Sequence, residues 1–162
     1  MNSKQLGVEQ LELQQASLAK LCLDTATLSF IRVDANGHIL YANPHACKDY
    51  GYSLEEFVSI SLCDIDPAIT RDIWPDLWQT FCEKSVLTFE GVNIRKDGTL
   101  FPVEVNVFLL EADGQKTTGA IMRDITERKK AEKKAQLSQF IYDKVSVAIL
   151  HGGEDGRILD AN

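Results

Sequence analysis

The cysteines are the first residues that could do chemistry, because thiolates bind metals and act as nucleophiles. There are four of them, Cys22, Cys47, Cys63 and Cys82, widely separated and with no C-x-x-C pair. This spacing gives no support to a zinc site or to a dithiol redox site. We therefore expect each cysteine to be a small buried hydrophobic residue.

Carboxylates and tryptophans are the other residues that could take part in catalysis or ligand binding. No nucleophile is paired with a base, and dispersed carboxylates such as Asp64 and Asp66 are better explained as caps of turns. Trp74 and Trp78 could line a pocket for a flat or aromatic ligand, but the favoured alternative is that they pack the core. The sequence therefore predicts neither an enzyme nor a metal site.

The elements that would position these side chains begin with a helix at about residues 8–22. Its apolar stripe is thin, which suits a helix that packs on a partner or on a domain surface; a solvated lead-in helix is the alternative. Two strand-like segments follow, residues 28–33 and 38–42, joined by Asp34-Ala-Asn36-Gly37. Asn-Gly predicts a type I′ hairpin turn, because both central positions need a positive φ.

Three short helices come next, and capping residues predict where they start. Asn43 caps the first helix, Pro44 is its first residue, and Gly51 ends it in the left-handed conformation. Ser53 opens a capping box for the second helix, and Asp72 is predicted to cap the third. One strongly apolar face of the third helix carries Ile73, Leu77 and Phe81, flanked by Trp74 and Trp78.

Three further strands complete the domain, at residues 86–95, 101–109 and 117–125, separated by turns that contain Asp-Gly. Gly91 is predicted to mark a bulge, because the apolar alternation changes phase there. Asp124-Ile-Thr-Glu127 then opens a charged helix, in which Arg128 and Glu132 can pair. Hairpin turns dominate, so the predicted fold class is α+β, with an antiparallel sheet and helices on one face.

The bulk composition excludes several classes of function. The 162 residues carry 17 lysines and arginines against 24 acidic residues, a net charge of −7, which argues against nucleic-acid binding. No run of about 18 apolar residues predicts a membrane-spanning helix, and the polar start lacks a secretory signal. We therefore expect a cytoplasmic protein with no membrane contact in this stretch.

The tail repeats the front of the domain. An offset of 119 residues places Asp143 on Asp24 and Gly156 on Gly37. It also places Ile158-Leu159 on Ile39-Leu40 and Ala161-Asn162 on Ala42-Asn43. We expect tandem domains in a longer parent protein, with the second copy beginning near Lys144. Residues 144–162 cannot bury their own strands, so we expect them to be disordered or to borrow a partner surface.

These motifs, taken in order, resemble the PAS domain family. Phe30-Ile-Arg-Val-Asp34, Gly37-His-Ile-Leu-Tyr-Ala-Asn43 and Gly51-Tyr-Ser-Leu-Glu-Glu-Phe57 resemble the opening of such a domain. Arg95-Lys-Asp-Gly98 with Phe101-Pro-Val-Glu-Val105 is similar to its later strand pair, and Arg123-Asp-Ile-Thr-Glu-Arg-Lys129 to its closing motif. The likeness covers about residues 25–130.

The resemblance implies a five-stranded antiparallel sheet of order 2-1-5-4-3 and a ligand-sized cavity between sheet and helices. It also implies a homodimer formed through flanking helices and a downstream effector in the same chain. The pocket candidates are Ile73, Trp74, Leu77, Trp78, Phe81 and Phe89. The signalling and structural candidates are Asp34, Asn43, Pro44, Gly51, Ser53, Asp124 and Thr126, of which Asp124 and Thr126 would tie the last strand to the signalling helix.

The cofactor stays unknown, and two family cofactors are disfavoured. Covalent flavin chemistry needs an Asn and an Arg beside the cysteine, and Cys63 has neither. Heme needs an axial histidine on the third helix, whereas His38 and His45 lie elsewhere. Both histidines are better explained as ordinary surface or edge residues.

We divide the chain into a flanking helix (residues 1–24), a PAS domain (25–126), a signalling helix (127–143) and the truncated start of a second PAS domain (144–162). The predicted function is a sensory input module of a bacterial protein such as a histidine kinase. The alternatives are a ligand-free dimerisation module or spacer, and the input domain of a diguanylate cyclase.

Overall fold

The structure is a computed structural model that describes residues 3–112, 114–145, 150–152 and 158–161. It forms two compact units, residues 1–125 and 126–162. The helices and strands of the first unit are α1 (Ser3–Thr25), β1 (Ser29–Val33), β2 (Ile39–Ala42), α2 (Pro44–Tyr50), α3 (Leu54–Phe57), the 3₁₀ turn Leu62–Asp64, α4 (Trp74–Lys84), β3 (Val86–Ile94), β4 (Leu100–Ala112) and β5 (Gln115–Asp124). Those of the second are α5 (Thr126–Val145), β6 (Leu150–Gly152) and β7 (Ile158–Ala161).

Five antiparallel strands form the sheet of the first unit, in the order β2-β1-β5-β4-β3. This order confirms the α+β fold class that was expected. Inward-facing residues of the central strands, such as Ile31, Val103 and Met122, are buried together with Tyr50 and Phe57. The sheet and the short helices therefore share one hydrophobic core, which contributes most of the folding free energy.

Gly91 does not mark a bulge, so that prediction is wrong. The β3–β4 ladder runs without a register shift from Val86 opposite Phe108 to Ile94 opposite Leu100, and Gly91 lies opposite Val103. The change of phase in the sequence has another cause. The strand β3 lies at the edge of the sheet, and its apolar residues Val86 and Val92 are exposed rather than directed into the core.

The β1–β2 connection is not a type I′ turn. Gly37 has a φ of 85°, whereas Asn36 has a negative φ, so only one of the two residues meets that requirement. The Asp34 carboxylate accepts the N–H groups of Asn36 and His38, each at 2.8 Å. Burial of the Asp34 carboxyl group acts to raise its pKa, but these hydrogen bonds outweigh burial and hold the pKa below its usual value. The carboxylate thus organises a wider turn than the one predicted.

The predicted starts of the first two short helices are confirmed. Asn43 accepts the N–H of Ala46, Pro44 begins α2, and Gly51 ends it at a φ of 78°. Ser53 and Glu56 form the capping box of α3. The prediction for Asp72 is wrong: α4 begins at Trp74 and has no side-chain cap. The Trp74 N–H already bonds to the carbonyl of Thr70, which leaves Asp72 in the preceding turn.

The cysteines are less buried than the sequence suggested. Cys22 is exposed on α1, and the other three are half-buried. Cys22 is exposed because it lies on α1, which extends from Ser3 to Thr25. The same helix leaves Leu11, Leu18 and Leu21 more than half exposed. The apolar stripe of this helix therefore lies largely outside the core of the first unit.

Ser85, between α4 and β3, is strained. It is the one non-glycine residue of the described chain with a positive φ, at 59° with a ψ of −34°. Such a conformation costs an L-residue about 1–3 kcal/mol, and glycine avoids most of that cost. Ser85→Gly should therefore raise the free energy of unfolding by about 1 kcal/mol. Urea denaturation checks this, with Ser59→Gly as the control that should give no gain.

The second unit contains α5 and a small hairpin. In α5, Arg128 and Glu132 lie 3.9 Å apart as the predicted ion pair. In the hairpin, Leu150 lies opposite Ala161 and Gly152 opposite Ile158, with a register shift after His151. In the first hairpin, Ile31 lies opposite Ala42 and Val33 opposite Ile39, with a shift after Arg32. The two hairpins thus share one register at the 119-residue offset.

We expected residues 144–162 to be disordered or to borrow a partner surface. Within that range, residues 146–149, 153–157 and 162 lie outside the described residues, so this expectation stays a prediction. Within the described parts of the chain, no helix is both long and apolar enough to cross a membrane.

Candidate functional site

A small, partly enclosed cavity lies beneath the sheet, on the face that packs against the helices. Its volume is about 30 Å³. Most of its lining is apolar and comes from four sources: the central strands, β3, α4 and the segment around the 3₁₀ turn. The lining residues are Ile31, Val33, Leu62, Asp66, Ile69, Phe81, Phe89, Asn93, Val105, Val107, Thr118, Ala120 and Met122.

A short polar chain runs along one side of this cavity. The Asn93 amide nitrogen donates to the Tyr50 hydroxyl, and that hydroxyl donates to the sulfur of Met122 at 3.1 Å. Asn93 and Tyr50 are 2% and 1% exposed. Burial raises the pKa of the Tyr50 hydroxyl, which stays protonated and able to donate. The other amide atom of Asn93, Oδ1, has no partner.

Asp66 is the ionisable group among the residues that line the cavity. Its Oδ1 accepts the N–H of Ala68 at 2.9 Å, and the residue is 8% exposed. Burial raises the pKa of its carboxyl group, and the bond from Ala68 offsets only part of that effect. No lysine, arginine or histidine lines the cavity to balance a negative charge.

The structure brings together only some of the predicted pocket residues. Phe81 and Phe89 line the cavity beneath the sheet, and Phe89 also remains 39% exposed. Leu77 is half-buried and packs against the core, and Ile73 is 41% exposed before the start of α4. Trp74 and Trp78 line a separate outer groove of about 490 Å³.

Trp74 has a structural role at that groove. Its side chain is 5% exposed, and its indole N–H donates to the carbonyl of Ala35 at 2.9 Å. A Cβ atom at Gly37 would lie 3.3 Å from the Trp74 ring. Trp74, the first residue of α4, therefore packs that helix against the β1–β2 turn. Cys63, His38 and Arg71 also line the groove.

Sequence reasoning missed Asn93 and Asp66, which line the cavity, and Tyr50, which bonds to Asn93 behind the lining. A signal was present for Asn93, because it stands two residues after Gly91 in a strand that alternates. A polar amide at an inward position of such a strand is uncommon and indicates a buried partner. No comparable local signal existed for Tyr50, which lies in a short helix.

A second set of contacts joins the cavity wall to the end of the sheet. Arg95 follows Asn93 by two residues, and its guanidinium donates to the Asp124 carboxylate and to the carbonyl of Asp49, each at 2.7 Å. The same guanidinium lies 3.6 Å from the centre of the Phe101 ring. The predicted signalling residue Asp124 is thus bound to the residue that directly follows β3, the strand that carries Asn93 of the cavity wall. Thr126, its predicted companion, is the first residue of α5.

Asn43 joins the end of α1 to the core. Its Oδ1 accepts the N–H groups of Phe30 and Ala46, and its Nδ2 donates to the carbonyls of Leu23 and Leu28. The residue is fully buried. It therefore does more than cap α2, because Leu23 belongs to the last turn of α1. A neighbouring bond from the Tyr41 hydroxyl to Asp24, at 2.8 Å, reinforces the junction.

Metal ligation has no support in the described chain, which brings together no group of three or more histidine, cysteine or acidic residues suited to an ion. His38 is exposed beside Asp34, and His45 lies 3.5 Å from Asp49. Neither histidine lines the cavity beneath the sheet.

Comparison with protein families matches residues 26–127 to the model described as "PAS domain". The nitrogen fixation regulatory protein of Klebsiella oxytoca is 25% identical over 156 residues, which are 92% of this chain and 32% of that protein. The methyl sulfide methyltransferase-associated sensor of Methanosarcina acetivorans is 35% identical over 85 residues, 51% of this chain and 8% of that protein. The chain therefore spans a third or less of these relatives.

Solved structures show the same fold. The PAS domain of an HTR-like protein from Haloarcula marismortui superposes with a TM-score of 0.65 at 25% identity, over 72% of this chain and 97% of that one. A PAS domain from a two-component sensor histidine kinase gives a TM-score of 0.60 at 25% identity, over 72% and 98%.

Proposed function

This chain belongs to the PAS domain family, and from that premise we propose that it is the ligand-responsive input module of a longer sensor protein, such as a bacterial histidine kinase. Modules of this family are sensory and non-catalytic, and the similar proteins are regulators and sensors. One solved relative belongs to a two-component histidine kinase, which supports that choice of parent.

The observation that carries the proposal is Asn93, which lines the cavity and whose buried Oδ1 has no hydrogen-bond partner. A buried acceptor that lacks a donor destabilises the folded state, so its retention indicates a role other than stability. A ligand that satisfies this atom supplies the differential binding energy that a conformational shift requires.

A physical route leads from that atom to the end of the sheet. Asn93 lies in β3 and Arg95 directly follows that strand, and Arg95 holds Asp124, two residues before α5 begins. Ile125 is buried, and its N–H bonds to the carbonyl of Pro102 at 3.0 Å. Movement of β3 around a ligand would therefore act on the residues that precede the signalling helix. The coupling energy between the two sites is the quantity to measure.

Native mass spectrometry combined with amide hydrogen exchange tests this function. A bound small molecule that leaves on denaturation, and that changes the exchange of residues 126–145, is the expected result. In Arg95→Gln the ligand should still bind while the change in α5 is reduced. Arg32→Gln, at an exposed position on β1, is the matched control. A ligand-free protein whose α5 exchange is the same in all variants would contradict the proposal.

A ligand-free dimerisation module or spacer is the second candidate. The small cavity favours it, because drug-sized ligands occupy pockets of roughly 300–1,000 Å³ and this cavity is about 30 Å³. The mass measurement above separates the two candidates. An input domain of a diguanylate cyclase differs from the leading proposal only in the effector, which lies outside this chain.

We also propose that the module forms a homodimer through its flanking helices. Leu11 and Leu18 are 55% and 62% exposed on α1, and burying them against a second copy would be favourable. Leu11→Lys combined with Leu18→Lys should raise the dimer dissociation constant at least about tenfold. Sedimentation velocity measures this, with Gln10→Lys combined with Ser17→Lys, two exposed positions of α1 at the same spacing, as the charge-matched control. Equal association of all forms would rule out α1 as the interface.

The shared hairpin register supports a tandem arrangement of PAS domains. A chance similarity of short segments would not reproduce both the pairing and the register shift of the first hairpin. Under the same offset α5 corresponds to α1. We infer that α5 follows one PAS domain and leads into the next, in a parent protein that also carries the effector.

A further inference from the structure

The cavity beneath the sheet contains a clue to the chemistry of its ligand. Among the described residues, Oδ1 of Asn93 is the one buried side-chain nitrogen or oxygen without a hydrogen-bond partner. Its amide nitrogen is already fixed by the bond to Tyr50, which orients the oxygen. A carbonyl oxygen of an amide only accepts hydrogen bonds. The missing partner is therefore a donor.

The lining also limits the charge of the ligand. An anion would enter a site that holds the Asp66 carboxyl group and no cation. Ionised groups leave water at a large cost unless a partner of opposite charge receives them. A cation is disfavoured as well, since all but three of the lining residues are apolar and Asp66 already accepts the N–H of Ala68. An uncharged molecule suits these walls.

Size is the third restriction. A volume of about 30 Å³ has room for about one water molecule. A larger guest must displace side chains, and Leu62, Ile69 and Phe89 are the cavity residues that are not fully buried. These residues allow an increase of a few heavy atoms, whereas the strand residues beneath them are fixed by the sheet.

We propose that the ligand is a small uncharged molecule of a few heavy atoms with a hydroxyl group, which donates to Oδ1 of Asn93 while its short alkyl part contacts the apolar wall. This inference rests on the proposed input function and names the ligand class of that same site. The alkyl part lies between Phe81 and Val105, and the hydroxyl group takes the place of the missing donor.

A titration of the 15N-labelled full chain with 1-propanol tests the proposal. We expect saturable shifts of the Asn93 side-chain amide and contacts between the propanol methyl group and Val105 or Phe81. Asn93→Leu should weaken binding at least about tenfold, because the only hydrogen bond to the guest is lost. The matched control is Asn106→Leu, which changes an asparagine that bonds to Thr88 on the other face of the sheet. Its affinity should stay unchanged.

Three other probes give the opposing outcomes. Tight binding of propionate or of propylammonium in place of propanol would overturn the uncharged class, while a ligand site would remain. Xenon binding as tightly as propanol, in both wild type and Asn93→Leu, would overturn the role of the hydroxyl group. If no probe shifts any cavity resonance and a crystal structure shows only one water on Asn93, the proposed ligand-responsive input function is contradicted as well. The contacts between propanol and the cavity residues of the wild-type protein test the proposal even if Asn93→Leu fails to fold.

Discussion

Replacement of Asn43 with alanine should lower the free energy of unfolding by about 4 kcal/mol, which for a domain of this size is a large part of the total. The side chain is fully buried and makes four hydrogen bonds to backbone groups. Its removal leaves those groups in a place that water does not reach, and each unsatisfied group costs about 1–3 kcal/mol before relaxation. Urea denaturation followed by circular dichroism measures the loss.

Asn43→Asp sharpens the test. An aspartate keeps the acceptor that caps α2 but cannot donate to the carbonyls of Leu23 and Leu28, so it should specifically release the end of α1. Hydrogen exchange in residues 11–25 should then increase more than exchange in α2. Asn36→Ala, at an exposed asparagine, should change stability by less than about 0.5 kcal/mol. A loss below about 1 kcal/mol for Asn43→Ala would contradict this account of the junction.

The second large effect concerns the pair Tyr50 and Asn93. Tyr50→Phe should cost about 2 kcal/mol, because it leaves the Asn93 amide buried without its one partner. In an Asn93→Leu background the same change should cost less than about 1 kcal/mol, since no orphaned amide remains. The interaction energy of this double-mutant cycle, measured by urea denaturation, reports the bond directly.

Tyr52→Phe provides the matched control for the cycle. Tyr52 packs against Phe57, as Tyr50 does, but its hydroxyl makes none of the hydrogen bonds described for the cavity. Tyr52→Phe should change the free energy of unfolding by nearly the same small amount in wild type and in the Asn93→Leu background. Equal costs of Tyr50→Phe in the two backgrounds would show that the polar chain along the cavity does not couple the two residues.

The contrast between Asn43 and Asn93 shows how much the sequence could predict. The capping role of Asn43, like those of Gly51 and Ser53, depends on neighbours within a few residues, so local chemistry was enough. The partner of Asn93 lies 43 residues earlier, and only the packing of α2 against the sheet brings it close. Sequence patterns do not specify such distant pairings.

The errors have the same origin. Asn-Gly is a strong hairpin signal, but the Asp34 carboxylate two residues earlier selected a different turn. The apolar phase change at Gly91 was interpreted as a bulge because the sequence does not say which strand lies at the edge. The fold class was predictable because turns and alternation are local properties, whereas the position of the cavity depended on tertiary packing. Trp74 was therefore a candidate for the pocket, although it packs beside the outer groove.

The edge position of β3 has a consequence for the speed of the proposed sensor. This strand pairs only with β4, and beyond that ladder its end is held by the bond from the Ile94 N–H to the carbonyl of Ile65. It also carries Phe89 and Asn93, so the cavity beneath the sheet opens further most easily by fraying of β3 from Val86 onward. Asn93 would then decide which molecule stays, while the fraying rate of β3 would set how fast it enters and leaves. The response time of the sensor would accordingly depend on an edge strand rather than on the affinity of its ligand.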